Sequence, residues 1–320
     1  MRDVRVFSLW VLAFLGLFGN GMMLVWLWAH RKRRIRIVRL FGNLAIADVL
    51  VTLCGTLPLL ALEYLGTEWR VGEILCKIFY FLLGFSSCSS NYMMVPIAFD
   101  RCRAVKRPLA LRIKVFRLTA FGWVTAFLLN LPSIVLYREV NEDRQTVCRS
   151  VMFDWSPIYI RVMITCMVIF VYVIPIIAII TCNTRVFQQL RKSFRVYRYD
   201  NEEYHANILR ISSLGICSRK VHTTPLQSAE IRTVKLTVAI ILVFLVCEAP
   251  FCVLQLCRAY GDPQALHSEI YTMLPIMSIS NSSIMPFVFL ILYAKFPYPR
   301  SSSRSSRKEH SRWSFVRDYV

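Results

Sequence analysis

Seven apolar stretches of about 20 residues or more divide the chain, and they constrain its fold more than any other feature. Each could cross the roughly 30 Å hydrocarbon core of a bilayer as an α-helix. Only Asp48 and Glu248 place a charge inside them. Seven such helices in 320 residues leave too little polar sequence to cover them in a soluble protein, so we expect membrane spans. The predicted spans, one to seven, are Val6–Ala29, Leu40–Leu62, Ile78–Phe99, Leu118–Tyr137, Val162–Asn183, Leu236–Cys257 and Ile270–Ala294.

Positively charged residues are concentrated in alternate connecting segments. Of the 39 Lys and Arg residues, thirty lie in 30–39, 101–117, 184–235 and 294–320. Because basic loops stay on the cytoplasmic side, this asymmetry predicts an amino terminus outside and a carboxyl terminus in the cytoplasm. We therefore expect an all-α membrane protein, a seven-transmembrane helix bundle. The net charge of +20 follows from this topology, so it does not indicate nucleic-acid binding.

The chain is expected to form one domain with short appendages. Residues 1–5 are predicted to be a short extracellular tail, 6–296 the seven-transmembrane domain, and 297–320 a disordered, basic, Ser-rich cytoplasmic tail. The longest polar segment, about 184–235, is predicted to be the third cytoplasmic loop. Phosphorylation of the tail and attraction of the tail to anionic membrane lipid both fit this composition, and the sequence leaves the two open.

Two of the 11 cysteines stand apart from the others. Cys76 lies at the outer start of span three, and Cys148 lies in the loop between spans four and five. Both are on the predicted oxidising side, where a disulfide would hold that loop over the mouth of the bundle. The sequence has no zinc-binding spacing, no Gly-rich phosphate loop and no evident nucleophile-base pair. We therefore predict neither an enzyme nor a bound organic cofactor.

Asp100 and Arg101, at the cytoplasmic end of span three, precede a basic run and then Pro108-Leu109. This stretch resembles the Asp-Arg-Tyr signature of rhodopsin-like G-protein-coupled receptors. The resemblance covers nearly the whole chain, because further motifs follow in that family's order and spacing. They are Gly19-Asn20, Leu44 through Asp48, Trp69 and Gly72 before Cys76, Trp123, Pro175, Phe244 with Cys247 and Pro250, and Asn281-Ser282 with Pro286.

The resemblance implies a plasma-membrane receptor that passes an extracellular signal to a heterotrimeric G protein, and it assigns roles by matched position. Arg101 would transmit the signal, and Glu230, at the foot of span six, would pair with it in the resting state. Breaking that pair would let span six swing outward. The alternative is that Glu230 is a solvated surface charge. The residues matched to the coupling machinery are Asp100, Arg101, Glu230, Phe244, Pro250, Pro286 and Phe289.

A carboxylate inside hydrocarbon is costly unless it is paired or hydrated, so Asp48 is expected to face the bundle interior. The family implies that Asp48, Ser90, Asn281 and Ser282 hold an allosteric sodium ion, for which oxygen ligands are suited. The alternative is a protonated Asp48 hydrogen-bonded to Asn20 and Asn281.

The chain departs from the family pattern at two switch elements. Glu248 stands where the family has tryptophan before Pro250, and the usual Asn-Pro-x-x-Tyr has Met285 and Phe289 at its ends. Family geometry would place Glu248 near the Asp48 cluster, where two acids would share a proton or hold a cation more tightly. A Glu248 neutralised by local hydrogen bonds, with no signalling role, is the alternative.

The ligand class is indicated mainly by exclusion. Leu83 replaces the acid of aminergic receptors, and Ile279 replaces the lysine of opsins. Residues 250–256 and 281–283 are similar to vasopressin, oxytocin and gonadotropin-releasing-hormone receptors, so a peptide ligand is expected. The candidate ligand-binding residues are Tyr80, Leu83, Glu248, Phe251, Gln255, Arg258 and Tyr271. A decoy or atypical receptor that binds ligand without coupling is the alternative, and the resemblance also implies receptor kinase and arrestin as further partners.

Overall fold

The computed structural model describes residues 2–32, 35–66, 68–106, 113–142, 145–189, 191–192, 225–261 and 270–294. Helices dominate this part of the chain, and they follow the predicted spans in order. They are α1 (Arg2–Ala29), α2 (Ile35–Val51), α3 (Leu57–Leu65), α4 (Glu73–Lys106), α5 (Val115–Leu136), α6 (Pro157–Val168), α7 (174–189), α8 (Pro225–Tyr260) and α9 (Ile270–Phe289).

Three predicted segments agree with the structure to different extents. α1 begins at Arg2, within the segment 1–5 that the sequence predicts to be a tail. α8 begins at Pro225, so the last part of the predicted loop 184–235 is helical. The tail 297–320 and most of that loop lie outside the described residues.

Within the described residues, three π-helical turns lie in the spans: Thr52–Thr56, Ile169–Val173 and Leu290–Ala294. The first leads into α3, which has Pro58 in its first turn, and the second precedes Pro175. A proline has no N–H to donate, and its ring collides with the carbonyl four residues earlier. A wider π turn before the proline relieves that collision, so the span continues.

Five described helical stretches are long and apolar enough to cross a membrane: Arg2–Ala29, Val38–Leu65, Val115–Leu136, Pro157–Gln189 and Val238–Cys257. Span seven contributes the shorter apolar helix Ile276–Leu292. Span three is α4, which is 34 residues long but interrupted by polar residues. Many of these polar side chains are buried among the other helices, so α4 is polar because it faces the interior.

A β-hairpin lies between spans four and five, and the sequence pattern did not predict it. Its strands β1 (Tyr137–Glu142) and β2 (Gln145–Ser150) pair antiparallel, with Tyr137 opposite Ser150. The prediction that Tyr137 ends span four is therefore wrong, because α5 ends at Leu136 and Tyr137 opens β1. A short 3₁₀ turn, Val151–Asp154, follows β2.

The main buried core joins α1, α2, α4, α7, α8 and α9 near Arg101. A second cluster, containing Leu136, Met152 and Ile164, lies beneath the hairpin. We call the end of the bundle that carries β1, β2 and Cys76 the hairpin end, and the opposite end the Arg101 end. Between them, Gly19 lets α1 approach α9 closely, because a Cβ there would lie 2.8 Å from Pro286 Cγ.

Candidate functional site

A small polar cavity lies between spans two, three, six and seven. Its lining residues are Val51, Ser87, Ser90, Asn91, Glu248, Ser278, Ile279, Asn281 and Ser282. Ser90 Oγ donates a hydrogen bond of 2.5 Å to Asp48 Oδ1, which places Asp48 directly behind this wall. The cavity has room for about one water-sized occupant. Three of the four residues matched to a sodium site therefore line one cavity, and the fourth, Asp48, is hydrogen-bonded to Ser90 in its wall.

Several oxygen atoms of this cluster are buried without a hydrogen-bond partner in the described part of the chain: Asn20 Oδ1, Asp48 Oδ2 and Asn281 Oδ1. The Asn20 amide donates to the carbonyls of Gly16 and Ser282, at 2.9 and 3.1 Å. The Asn281 amide donates to Asn91 Oδ1 at 3.4 Å. Neither amide donates to Asp48, so these bonds differ from the alternative in which a protonated Asp48 is hydrogen-bonded to Asn20 and Asn281.

The buried oxygens without hydrogen-bond donors indicate whether a cation suits this cavity. Buried oxygens without donors are acceptors that a hard cation can satisfy, and the donor set is carboxylate, amide and hydroxyl. Ser282 Oγ donates to the carbonyl of Ile279 at 2.8 Å, which leaves its lone pairs free to accept. The residues present fit a sodium ion.

Glu248 lies on the wall of the same cavity. Its side chain is 1% exposed, and Oε2 accepts a 2.6 Å hydrogen bond from Ser278 Oγ. Ser90 and Asn281 line the same space, so Glu248 is a neighbour of the Asp48 cluster, where family geometry would put it. Asn91, which accepts a hydrogen bond from Asn281, and Ser278, which donates one to Glu248, also line this wall and were not predicted as site residues. The signal was present, since both are polar residues inside apolar spans.

The ligand candidates other than Glu248 belong to helix segments closer to the hairpin end than this cavity. Tyr80 stacks on Tyr137 of β1 with ring centroids 3.8 Å apart. Phe251 packs edge-on against Tyr172, with centroids 5.7 Å apart. Leu83 and Gln255 are half-buried, whereas the side chains of Arg258 and Tyr271 lie outside the described residues. These contacts are helix and hairpin packing, and a ligand role for the candidates stays a prediction.

The hairpin end is cross-linked in several ways. Cys76 and Cys148 form the predicted disulfide, with Cα atoms 5.7 Å apart. The backbone N–H of Trp69 donates to the carbonyl of Thr146 in β2 at 2.6 Å, which joins the loop before α4 to the hairpin. Arg161 Nε donates to the carbonyl of Ala259 at 3.1 Å, which joins spans five and six.

Charges of both signs surround this end. Arg5 binds both carboxylate oxygens of Glu63, at 2.8 and 3.0 Å. Arg149 pairs with Asp154 at 2.9 Å. Lys77, one helical turn from Glu73, lowers the pKa of that exposed carboxyl below its usual value by hydrogen bonding and charge. The rim of the bundle therefore carries paired charges of both signs.

Among the described residues of the Arg101 end, Arg36 and Asp100 form an ion pair. Arg36 Nε donates to Asp100 Oδ1 at 2.7 Å, a second guanidinium nitrogen contacts the same oxygen, and Arg36 also donates to the carbonyl of Ile113 at 3.0 Å. Asp100 is thus held by span two rather than by its neighbour Arg101. The sequence did not predict Arg36, because 64 residues separate it from Asp100 and its segment is uniformly basic.

Arg101 itself is 8% exposed and lines a second cavity with Asn183, Ile240 and other side chains. Within the described residues it has no hydrogen-bond or ion-pair partner. Glu230 lies in α8, but its side chain is outside the described part, so the predicted Arg101–Glu230 pair is not tested. The Asn183 oxygen, Oδ1, is buried without a described partner.

The remaining switch residues are packed in the core. Phe244 and Phe289 are each 2% exposed. The Phe289 ring contacts Trp26 and Phe41, with centroids 5.4 and 4.6 Å apart. Where the family has a tyrosine hydroxyl, this chain has an aromatic contact among spans one, two and seven. Pro250 and Pro286 lie inside α8 and α9.

Comparison with known proteins agrees with this architecture. The family model described as 7 transmembrane receptor (rhodopsin family) matches residues 19–289. The mesotocin receptor of Rhinella marina is 24% identical over 295 residues, covering 91% of this chain and 74% of that receptor. The oxytocin receptor of Ovis aries is 25% identical over 301 residues, covering 91% and 76%. The gonadotropin-releasing hormone receptor of Octopus vulgaris is 24% identical over 283 residues, covering 85% and 66%.

Proposed function

The chain belongs to the rhodopsin family of seven-transmembrane receptors, and from that premise we propose that it is a G-protein-coupled receptor for an extracellular peptide. The observation that carries the proposal is the family match over residues 19–289, with Asp100 and Arg101 buried at the end opposite the disulfide. The similar receptors are named for mesotocin, oxytocin and gonadotropin-releasing hormone, which supports a peptide ligand.

The proposed orientation puts the hairpin end outside the cell and the Arg101 end in the cytoplasm of a multi-pass plasma-membrane protein. Two independent arguments support it. Disulfides persist in oxidising surroundings, and Cys76–Cys148 is at the hairpin end. In the sequence, the four basic segments follow or precede the described helix ends that lie on the same side as Arg101, as expected of cytoplasmic loops.

The peptide would bind at the hairpin end, among the candidate residues Tyr80, Leu83, Phe251, Gln255, Arg258 and Tyr271. The hairpin and its disulfide lie beside paired charges of both signs there, and a peptide offers both charged groups and backbone amides to them. Hydrophobic side chains below the rim, such as Phe251, would take apolar peptide side chains.

Signal transmission is proposed to depend on Arg101. Asp100 is occupied by Arg36, so Arg101 is available either to Glu230 in the resting state or to a G protein in the active one. Ligand binding above Glu248 and Pro250 would move α8, and the cavity beside Arg101 would widen to admit the G protein.

A sodium ion is proposed to bind Asp48, Ser90, Asn281 and Ser282. When bound, it would neutralise the buried Asp48 carboxylate and satisfy oxygens that have no described donor. By joining spans two, three and seven, it would favour the arrangement in which those spans are close. The basic, Ser-rich tail is proposed to meet a receptor kinase, arrestin or anionic lipid.

A ligand screen tests the receptor proposal. Cells that express the chain are exposed to oxytocin-like, gonadotropin-releasing-hormone-like and angiotensin-like peptides, and G-protein dissociation is recorded beside peptide binding at the cell surface. At least one peptide should activate a G protein. Arg101→Ala should then reduce activation by about ten-fold or more with little change in peptide affinity.

The matched control is Lys106→Ala, which removes a positive charge from the exposed last residue of the same helix and should change activation little. Peptide binding without G-protein activation would instead establish the decoy alternative, in which the altered residues Glu248 and Phe289 prevent coupling. If no peptide class binds to the cells or activates a G protein, the proposed peptide ligand is contradicted.

A further inference from the structure

We propose that the cavity between Asp48 and Glu248 is a binding site for a divalent cation, Ca²⁺ by its chemistry, and that Glu248 confers the divalent preference. The inference rests on the proposed cation site at Asp48. It adds a second carboxylate, from a different span, and a different class of ion.

Both acids belong to the surroundings of one small cavity, Glu248 as a lining residue and Asp48 directly behind the wall at Ser90. Ser90 joins Asp48 to the cavity wall through a 2.5 Å hydrogen bond, and Glu248 lines the wall itself. Ser278 fixes Glu248 by a 2.6 Å bond to one carboxylate oxygen. An ion in this space would meet oxygen atoms of α4, α8 and α9 directly, and the Ser90 hydrogen bond links Asp48 of α2 to the same site.

A second observation points to an occupant. Asp48 Oδ2 and Asn281 Oδ1 are buried acceptors with no hydrogen-bond partner among the described residues, and their side chains are 1% and 2% exposed. Leaving such groups unsatisfied costs about 1–3 kcal/mol each, and more for a charged group. A cation would satisfy both oxygens at once, whereas a hydrogen-bond donor from the protein is not in place.

Charge decides between a monovalent and a divalent ion. When both carboxyl groups are ionised they carry a charge of −2 inside a membrane-spanning bundle, and burying uncompensated charge in hydrocarbon is costly. A sodium ion leaves one negative charge unbalanced, whereas a divalent ion balances both. With Gln at position 248, sodium would balance the remaining charge of Asp48.

Coordination chemistry decides among divalent ions. All the donors are oxygens, which excludes ions that prefer thiolate or imidazole. Mg²⁺ keeps several water molecules, and this cavity has room for about one, whereas Ca²⁺ accepts irregular sets of protein oxygens. Within the described residues no cluster has three or more His, Cys, Asp or Glu side chains. Two acids with neutral oxygens give a weak site, with a dissociation constant of about 10⁻⁴–10⁻³ M, in the range of extracellular modules.

The test measures ion binding without requiring an agonist or a G protein. Purified receptor in nanodiscs is titrated with CaCl₂, MgCl₂ and NaCl at constant ionic strength, while ⁴⁵Ca²⁺ retention and the thermal unfolding midpoint are recorded. We expect saturable retention of one Ca²⁺ and a rise in the midpoint. Glu248→Gln should raise the Ca²⁺ dissociation constant about ten-fold or more and preserve the response to Na⁺.

Three further variants make the result decisive. Asp48→Asn should abolish the responses to both ions, and Ser278→Ala should weaken Ca²⁺ binding less than Glu248→Gln does. Glu68→Gln, a change to an exposed acid at the hairpin end, should leave Ca²⁺ retention unchanged. Equal Ca²⁺ affinity in Glu248→Gln and the parent, or no retention by the parent, overturns the inference. If the parent responds to Na⁺ but not to Ca²⁺, the proposed sodium site stands and the Ca²⁺ site is contradicted. If the parent responds to neither ion, both proposed sites are contradicted.

Discussion

Different kinds of contact stabilise the hairpin end and the Arg101 end of the bundle. At the hairpin end, a disulfide joins span three to the hairpin, Arg5 pairs with Glu63, and Arg161 joins span five to span six. At the Arg101 end, Arg36 and Asp100 join spans two and three, while Arg101 faces a cavity without a described partner. A receptor needs a fixed frame to recognise a ligand and a movable surface to signal, and the two ends match these needs.

Of the changes considered, removing the disulfide should lower the stability of the hairpin end the most. Cys148→Ser frees the hairpin from α4 and should lower the free energy of unfolding by about 2–5 kcal/mol. The purified protein should then unfold at a lower temperature and bind peptide more weakly. Cys166→Ser, which removes an exposed free thiol, is the control and should change neither property. An unchanged unfolding midpoint in Cys148→Ser would mean that the hairpin end does not depend on its covalent link.

The Arg36–Asp100 ion pair of the Arg101 end should be stronger than the Arg5–Glu63 pair of the hairpin end. Asp100 is only 7% exposed, so Arg36→Gln leaves a mostly buried carboxylate without this partner and should cost about 2 kcal/mol. A double-mutant cycle with Asp100→Asn isolates the pair from other effects of each change. A coupling energy near zero would indicate that the pair is a solvated contact that positions nothing.

Replacing Phe289 tests whether the altered switch is packed or hydrated. Phe289→Tyr restores the hydroxyl that the family has at this position, but the ring lies against Trp26 and Phe41. A hydroxyl buried there without a partner should cost about 1.5 kcal/mol and should not increase G-protein activation. Phe289→Leu is the size control. Greater activation with unchanged stability would show that water reaches this position.

The smallest effect is expected for the ion pair of the hairpin end. Arg5 and Glu63 are each about one-fifth exposed, so solvent screens their attraction. Arg5→Gln should cost about 0.5–1 kcal/mol, measured by the same thermal unfolding, and should leave G-protein activation unchanged. A cost larger than that of Arg36→Gln would reverse the order of the two pairs.

Much of the architecture could be predicted because hydrocarbon imposes a strict length and polarity on each span. The seven windows agree with the helices to within a few residues in most spans, and Cys76 with Cys148 followed from their shared side of the membrane. The hairpin was missed because its strands are short and lie next to span four, so Tyr137 was assigned to that span.

The polar contacts could be predicted only in part. Asp48 and Glu248 were evident because charge inside an apolar span is rare. Their neighbours Asn91 and Ser278 depend on how helices rotate against each other, which one sequence does not specify. Arg36 was one of several arginines in a basic segment, and only the packing of α2 against α4 identifies it as the partner of Asp100.

Distances measured at both ends in one receptor test the central claim most directly. Spin labels carried by an azide-bearing amino acid avoid the native cysteines. One pair, at Lys106 and Val238, reports spans three and six at the Arg101 end, and another, at Ile74 and Val253, reports the same spans at the hairpin end. With agonist and nucleotide-free G protein, the first distance should grow by about 5 Å or more, and the second should change by no more than about 2 Å. A larger change at the hairpin end, or no change at the Arg101 end, would contradict the account.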